Sequence, residues 1–398
     1  MKILFLTPRF PYPLDGGTNL RTFRLIQSAA QEHEVSVLSF ADRPVRPSDL
    51  EAVRALCDRV EVCPAPRHGA VRRLVTTLGS GLPDMAFRRW SSRFAGALRS
   101  LLREEAPDIV QVEGIEMARY LPICRGVRRV FDDHNVEHLL QWRAYVVDRD
   151  APERWPRAAY SSIQARKLAA FEGAACRLAD RVIAVSAEDA RALQALEPRG
   201  RYAVVPNAVD TRGVGPRGER PSRAGLLFTG TLDFRPNVDA IDWFLDEIFP
   251  RVRVHHPAAR AFVVGRGPRR DLVGRGQRDA GIAVTGPVES LDPYWSRASV
   301  YVLPMRVGGG VRFKALEAMA AGVPIVSTRL GMEGIAAEPG RHYFAADTAI
   351  DFADGIELLL DEPERGETLA ARALELVRER YDWRGVAPSL LSVYRDLV

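Results

Sequence analysis

Short apolar runs alternate with longer amphipathic segments along this 398-residue chain, the order expected of parallel sheets covered by helices. Runs at 3–7, 34–40, 108–112, 129–132, 181–186 and 202–206 make one series of predicted strands. Residues 211–224 interrupt the pattern with a polar stretch dense in Gly and Pro, which predicts a linker. A second series follows at once, with strands at 225–229, 261–264, 282–285, 299–304, 324–327 and 342–344 and helices between them, one at 237–254. The opening run, stopped by Pro8, reads as a first strand rather than a leader. The pattern therefore predicts two open α/β domains.

Composition agrees with two domains. The length exceeds the roughly 250–300 residues at which one core usually divides, and 46% hydrophobic residues suffice to fill two cores. No run reaches the ~18 apolar residues of a membrane span. Cys57, Cys63, Cys124 and Cys176 show neither metal spacing nor close pairing, which predicts a reduced, cytoplasmic setting. The net charge is +5, and only Lys2, Lys167 and Lys314 among the 56 basic residues are lysine. Such arginine usage is weak testimony for a polyanionic partner, and no interleaved aromatic and basic pattern points to nucleic acid. Residues 67–103 hold eight arginines, Arg72, Arg73, Arg88 and Arg89 among them, with Asp84 as the one acid. Leu74, Leu78, Phe87, Trp90 and Phe94 lie between them. This segment is read as a solvated helical face over the core, the alternative being peripheral contact with anionic lipid at the inner face of a membrane.

The chemistry is concentrated at predicted strand ends. Gly308-Gly309-Gly310 follow the strand 299–304 and lead into a helix over 312–321, rich in Ala, Leu and Met and closed by Gly322. The first turn of a helix favours acids, yet this one carries Arg312 and Lys314. Three glycines, open N–H groups and two cations suit a phosphate or diphosphate; the plain alternative is a turn before a surface helix with a Lys314–Glu317 pair. Gly16-Gly17, Asp133-His134-Asn135 and Gly230 also follow strands. Open α/β sheets bind ligands at those carboxyl ends, so the joint placement predicts a ligand cleft.

These residues resemble the retaining family 4 glycosyltransferases across almost the whole chain. The resemblance rests on Thr229-Gly230-Thr231-Leu232-Asp233-Phe234-Arg235-Pro236-Asn237, Val263-Val264-Gly265, Val284-Thr285-Gly286-Pro287-Val288, Val302-Leu303-Pro304 and Lys314-Ala315-Leu316-Glu317-Ala318-Met319-Ala320, in the family's order. Gly16-Gly17, Asp133-His134-Asn135-Val136-Glu137, Pro206-Asn207-Ala208-Val209-Asp210 and the closing Tyr381-Asp382-Trp383 are similar landmarks. The resemblance implies a GT-B fold, two Rossmann-like domains facing each other across a cleft. Residues 1–210 would bind the acceptor, 225–380 the nucleotide-sugar donor, and 381–398 would return as a helix to the first domain.

It further implies transfer of a sugar, with retained configuration, from a nucleoside diphosphate donor, a UDP-sugar in the first instance. The acceptor would be a glycan, a lipid-linked carrier or a small molecule. No cofactor or metal is implied, and Asp132-Asp133 lack the spacing of a cation-holding acidic pair. His134, Lys314 and Arg312 are the implied catalytic residues. Gly16, Gly17, Gly230, Thr231, Arg235, Gly265, Val288, Gly309, Gly310, Val311 and Glu317 are the implied donor contacts, with the carboxylate of Glu317 on the ribose hydroxyls and the base near Gly286-Pro287-Val288-Glu289. Glu137 and His138 are less definite and would lie on the acceptor side.

The chain departs from the family pattern twice. Gly309 stands where the first Glu of the paired-Glu motif is expected, and Thr231 and Pro236 stand where an Arg and a Lys neutralise the diphosphate. Arg312 and Lys314 would compensate, a pattern resembling a subgroup associated with surface polysaccharide assembly. Arg235 is a further candidate cation or a structural residue of its loop. The alternatives are the same chemistry on a secondary metabolite, or a catalytically silent protein of this fold that binds a partner enzyme or senses a nucleotide sugar. Gly265-Arg266-Gly267 lacks the third glycine of a dinucleotide fingerprint.

Overall fold

The computed structural model describes every residue except 15, 68, 70–74, 76–78, 151, 213–223 and 398. Most of the predicted linker and the Arg72, Arg73, Leu74 and Leu78 portion of the basic segment therefore lie outside the described residues. The chain divides into two compact units, Met1–Asn207 with Arg384–Val398, and Ala208–Trp383.

The first unit is built on seven strands: β1 (Lys2–Thr7), β2 (Glu34–Ala41), β3 (Arg59–Pro64), β4 (Ile109–Glu113), β5 (Arg128–Asp133), β6 (Arg181–Ala184) and β7 (Tyr202–Val204). They lie in the order β3-β2-β1-β4-β5-β6-β7, all parallel, with Ile3 opposite Val35 on one side and Ile109 on the other. Parallel strands covered on both faces require near-continuous apolar runs, and Leu4, Phe5 and Leu6 are fully buried. The helix Ser92–Glu104 turns Phe94, Ala95, Leu98 and Leu101 inward, and Ser91 caps it by accepting from the Phe94 amide. The basic segment is engaged in the same packing: Arg89 pairs with Asp42, Arg88 with Asp84, and the Arg119 guanidinium sits 4.2 Å over Trp90. In the described part of the segment, Arg88 and Arg89 are thus held by acids while Phe94 lies in the core.

The second unit carries β8 (Gly225–Thr229), β9 (Arg260–Val264), β10 (Ile282–Val284), β11 (Val300–Leu303), β12 (Ile325–Ser327) and β13 (Phe344–Ala345), in the order β10-β9-β8-β11-β12-β13. Every pairing is parallel. The predicted helix 237–254 is in fact three segments, Arg235–Trp243, a wide π turn Phe244–Ile248, and Phe249–His255. Pro250 brings no amide N–H, and the wide turn before it absorbs the missing bond.

Other boundaries move for local reasons. The strand expected to 186 ends at Ala184 because the Ser186 hydroxyl accepts from the Asp189 amide and caps the next helix. The last strand begins at Phe344 rather than 342, since the His342 ring accepts from the Glu338 amide in a turn. β3 carries no expectation at all. It is an edge strand with Arg59 and Glu61 paired to one another across its exposed face, a mixed pattern without an apolar run.

Candidate donor and histidine sites

Each sheet reverses its strand order once, between β1 and β4 in the first unit and between β8 and β11 in the second. The carboxyl ends of those strands are where doubly wound sheets take ligands. In the first unit, β1 leads toward Gly16, the residue before the helix Gly17–Ala29. That helix has no side-chain cap and no acid in its first turn, a charge pattern that suits an anion at a helix N-terminus. Gly16 is extended at φ −168°, a conformation any residue adopts, so the backbone there does not require glycine.

His134 stands just past β5 among carboxylates. Its Nε2 lies 3.0 Å from Glu113 Oε2 and 3.4 Å from Asp132 Oδ2. Burial opposes charge on the ring, but hydrogen bonds to Asp132 and Glu113 outweigh it and raise the pKa to about 9. His134 is therefore an imidazolium at neutral pH, with Nε2–H as a donor. Arg21 completes the cluster from inside the helix Gly17–Ala29, giving Nε and Nη2 to Asp132 at 2.9 and 2.8 Å and Nη1 to Val205 O and Asn207 Oδ1 at 3.0 Å each. Glu113 in turn accepts from Gln111 and Thr22. Ligand atoms of Glu113, Asp132 and His134 lie within 4.8 Å of one another. Two protein cations, Arg21 and His134, face the carboxylates of Asp132 and Glu113.

Glu137 and His138 belong to a neighbouring arrangement. Glu172, fully buried, accepts from the amides of Glu137 and His138 and from His138 Nδ1, at 2.6, 3.3 and 2.6 Å. It thereby caps the helix Glu137–Arg149 from another element. Burial and the Glu172 carboxylate push the Glu137 carboxyl up to about 7. Burial and the acids Glu172, Glu137 and Asp132 likewise raise Asp133 well above the carboxylate range.

The second unit brings most of the remaining candidates together. The helix Phe313–Ala320 begins behind Arg312, with no side-chain cap and no acid in its first turn. It ends in a Schellman closure, Val323 N to Ala318 O and Gly322 N to Met319 O, with Gly322 at φ +65°. Lys314 leaves the first turn, passes 4.3 Å over the Phe228 ring and donates to Asn237 Oδ1 at 2.6 Å. A second bond from Asn237 Nδ2 to Thr231 O, 2.8 Å, fixes that amide. Lys314 thus turns toward Gly230 rather than pairing with Glu317: a Cβ placed on Gly230 would come within 3.2 Å of its Nζ.

Burial, reinforced by the neighbouring Arg312, lowers the Lys314 pKa to about 7 despite Glu317. Burial raises that of Glu317, against the pull of Lys314. Glu317 lies one turn further along the same helix and is half-buried.

Arg312 is placed differently from the expectation of an open first-turn cation. It is the residue before the first turn, 8% exposed, and Nη1 donates to Gly310 O at 3.1 Å. Its side chain braces the glycine loop. Arg235 opens the helix Arg235–Trp243. Gly265 and Gly230 abut so closely that a Cβ on Gly265 would lie 1.7 Å from Gly230 O. Val288 lies in the loop after β10, and Gly309 and Val311 flank Gly310 in the loop before Phe313.

Three residues of these clusters carried no site expectation: Arg21, Glu113 and Asn237. Glu113 was signalled by its place at a strand end and Asn237 by the motif containing it. Arg21 had no signal in so arginine-rich a chain.

Two Rossmann-like units with all-parallel sheets define the GT-B class of fold. The family described as Glycosyltransferase Family 4 matches residues 15–212, and that described as Glycosyl transferases group 1 matches residues 223–362. The chain belongs to the family 4 glycosyltransferases. It is similar to the sucrose-phosphate synthase of Thermosynechococcus elongatus, with a TM-score of 0.75, 18% identity and coverage of 100% of this chain and 99% of the other. Anabaena HepE, solved in complex with UDP, gives a TM-score of 0.67 at 16% identity with both chains fully covered. Among curated sequences, a 44.6 kDa protein of the cps region of Klebsiella pneumoniae is 25% identical over 174 residues, 42% of this chain and 45% of that protein. The chain thus spans about half the length of the curated relatives it matches. Among the described residues no helix is long and apolar enough to cross a membrane.

Proposed function

We propose that the protein is a metal-independent retaining glycosyltransferase. It moves a sugar from a UDP-sugar to a glycan or lipid-linked acceptor in surface-polysaccharide assembly, at the cytoplasmic side. The observation that carries this reading is the desolvated Lys314, held by Asn237 against Gly230 at the start of a helix whose first turn carries no acid. A nucleoside diphosphate supplies the negative charge that this arrangement lacks. In this reading Glu317, on the same helix, accepts from the ribose hydroxyls. The UDP bound to HepE and the cps-region origin of the Klebsiella relative support the choice of donor and pathway class.

In the reaction the bond between the anomeric carbon and the donor phosphate oxygen breaks, and its electron pair stays on the diphosphate. The acceptor oxygen bonds to the same face of that carbon, and its proton passes to the departing phosphate. Lys314 and backbone N–H groups meet the charge developing on the diphosphate. His134, as an imidazolium, donates to a donor-sugar hydroxyl through Nδ1–H, while Glu113 and Asp132 hold Nε2. No enzymatic nucleophile is needed.

The test is calorimetric titration with UDP, GDP, dTDP and ADP without metal, repeated on Glu317→Ala. Tight binding of one nucleotide, weakened in the variant, is the expected result. Binding of none, with Gly309 in place of the motif Glu, would instead mark a silent partner protein.

A further inference from the structure

Thr231 occupies the place after Gly230 where a cation is expected, and a guanidinium reaches it from another turn. Arg266 follows β9. Its Nε donates to Thr231 Oγ1 at 3.3 Å, and its carbonyl accepts from the Leu232 amide at 2.8 Å. The two turns are also joined at Gly230 N to Val264 O, 3.0 Å. The close approach depends on Gly265, at φ +153°, whose missing Cβ leaves room for Gly230 O. The Arg266 side chain is half-buried. The nearby acid on this loop is Asp233, whose carboxylate lies beside Gly267.

We infer that Arg266 is a phosphate-binding residue, supplying from the end of β9 the cation that the Gly230-Thr231 turn does not carry in its own sequence. The inference rests on the donor-binding reading above. Lys314 reaches Gly230 from the helix side, while Arg266 is tied to the very next residue. Two cations from two different elements therefore border one short stretch of backbone. A diphosphate has two charged groups, and hydrogen bonds from a cation to phosphate oxygens are about twice as strong as neutral ones. The charge has moved in sequence from position 231 to position 266, while the hydrogen bond to Thr231 keeps it at the same strand ends.

The experiment separates charge from structure by titrating UDP and uridine into wild type, Arg266→Gln, Arg266→Ala and the double variant Thr231→Arg/Arg266→Ala, with a melting curve for each. Glutamine keeps a donor for Thr231 but no charge. Loss of a charged contact should weaken UDP about 10- to 100-fold in both single variants, leave uridine unchanged, and be largely reversed when the charge is restored at position 231. Wild-type UDP affinity in Arg266→Gln overturns the inference while leaving the donor site intact. Equal losses for UDP and uridine, with a lowered melting temperature and no rescue by Thr231→Arg, overturn it in favour of a purely structural arginine. Failure of wild type to bind any nucleoside diphosphate removes the donor-binding reading itself, and this inference with it.

Discussion

Lys314 Nζ donates to Asn237 Oδ1 at 2.6 Å, and that oxygen faces the lysine because the other end of the amide donates to Thr231 O. Asn237 therefore orients the ammonium without neutralising it. Asn237→Asp keeps the shape but pairs the lysine and adds negative charge where a diphosphate is to sit. Asn237→Ala removes the tether and the bond to Thr231 O without adding charge. The expected order of UDP affinity by calorimetry is wild type, then Ala, then Asp, with Asp weaker than wild type by about tenfold or more. Asp binding as tightly as wild type would show that Lys314 does not meet an anion.

Lys314 also predicts a proton count. With its pKa lowered by burial to about 7, the free lysine is only about one-tenth protonated at pH 8. An anion beside it raises that pKa again. UDP binding at pH 8 should thus take up close to one proton, and affinity should fall as pH climbs through 7. Titration in buffers of different ionisation enthalpy measures the uptake. The uptake should vanish in Lys314→Met, and a wild type that binds UDP with no net proton change would contradict this assignment.

The parts of this site legible in the sequence are those fixed by backbone. The glycines, the strand ends and the basic residue in the first turn of the helix Phe313–Ala320 follow from local rules, and so do most strands of both sheets. What escapes is contact between segments distant along the chain. Arg266 lies 35 residues from Thr231, Asn237 lies 77 from Lys314, and Arg21 lies 111 from Asp132. No periodicity encodes such pairings. The bond from Arg312 to Gly310 O is likewise a side-chain contact that its place in the sequence does not specify.

The His134 cluster should be visible in stability. A histidine raised above its usual 6.5 to about 9 contributes stability that is complete below pH 6.5 and is lost as pH rises through 9. The loss is on the order of 3 kcal/mol at about 1.4 kcal/mol per unit. Glu137, raised to about 7, acts in a different window, withdrawing stability between about pH 4.5 and 7. Lys314, lowered to about 7, adds stability as pH rises above 7. Chemical denaturation from pH 6.5 to 9.5 therefore reads the His134 contribution as the difference between wild type and His134→Gln, in which wild type should lose ground steadily as pH rises. Parallel curves for the two proteins would mean that the ring is neutral in the folded state.

Two glycines at the ends of neighbouring strands offer a paired test of the packing beneath the donor site. Gly265 holds φ +153°, and a Cβ there would fall 1.7 Å from Gly230 O, backbone against backbone, with no flexible side chain to give way. Gly286, after β10, has nothing within 4 Å of the same added atom. Gly265→Ala must part β8 from β9 where the Gly230 and Arg266 turns join, and backbone strain alone costs about 1–3 kcal/mol. Its melting temperature should fall by at least several degrees, with UDP binding lost beyond what the residual folded fraction explains, because both cations depend on that junction. Gly286→Ala should melt within about a degree of wild type, a surface change of under about 0.5 kcal/mol. If Gly265→Ala melted and bound UDP as Gly286→Ala does, the close contact between the two turns would not exist in solution, and the placement of Arg266 at Thr231 would lose its support.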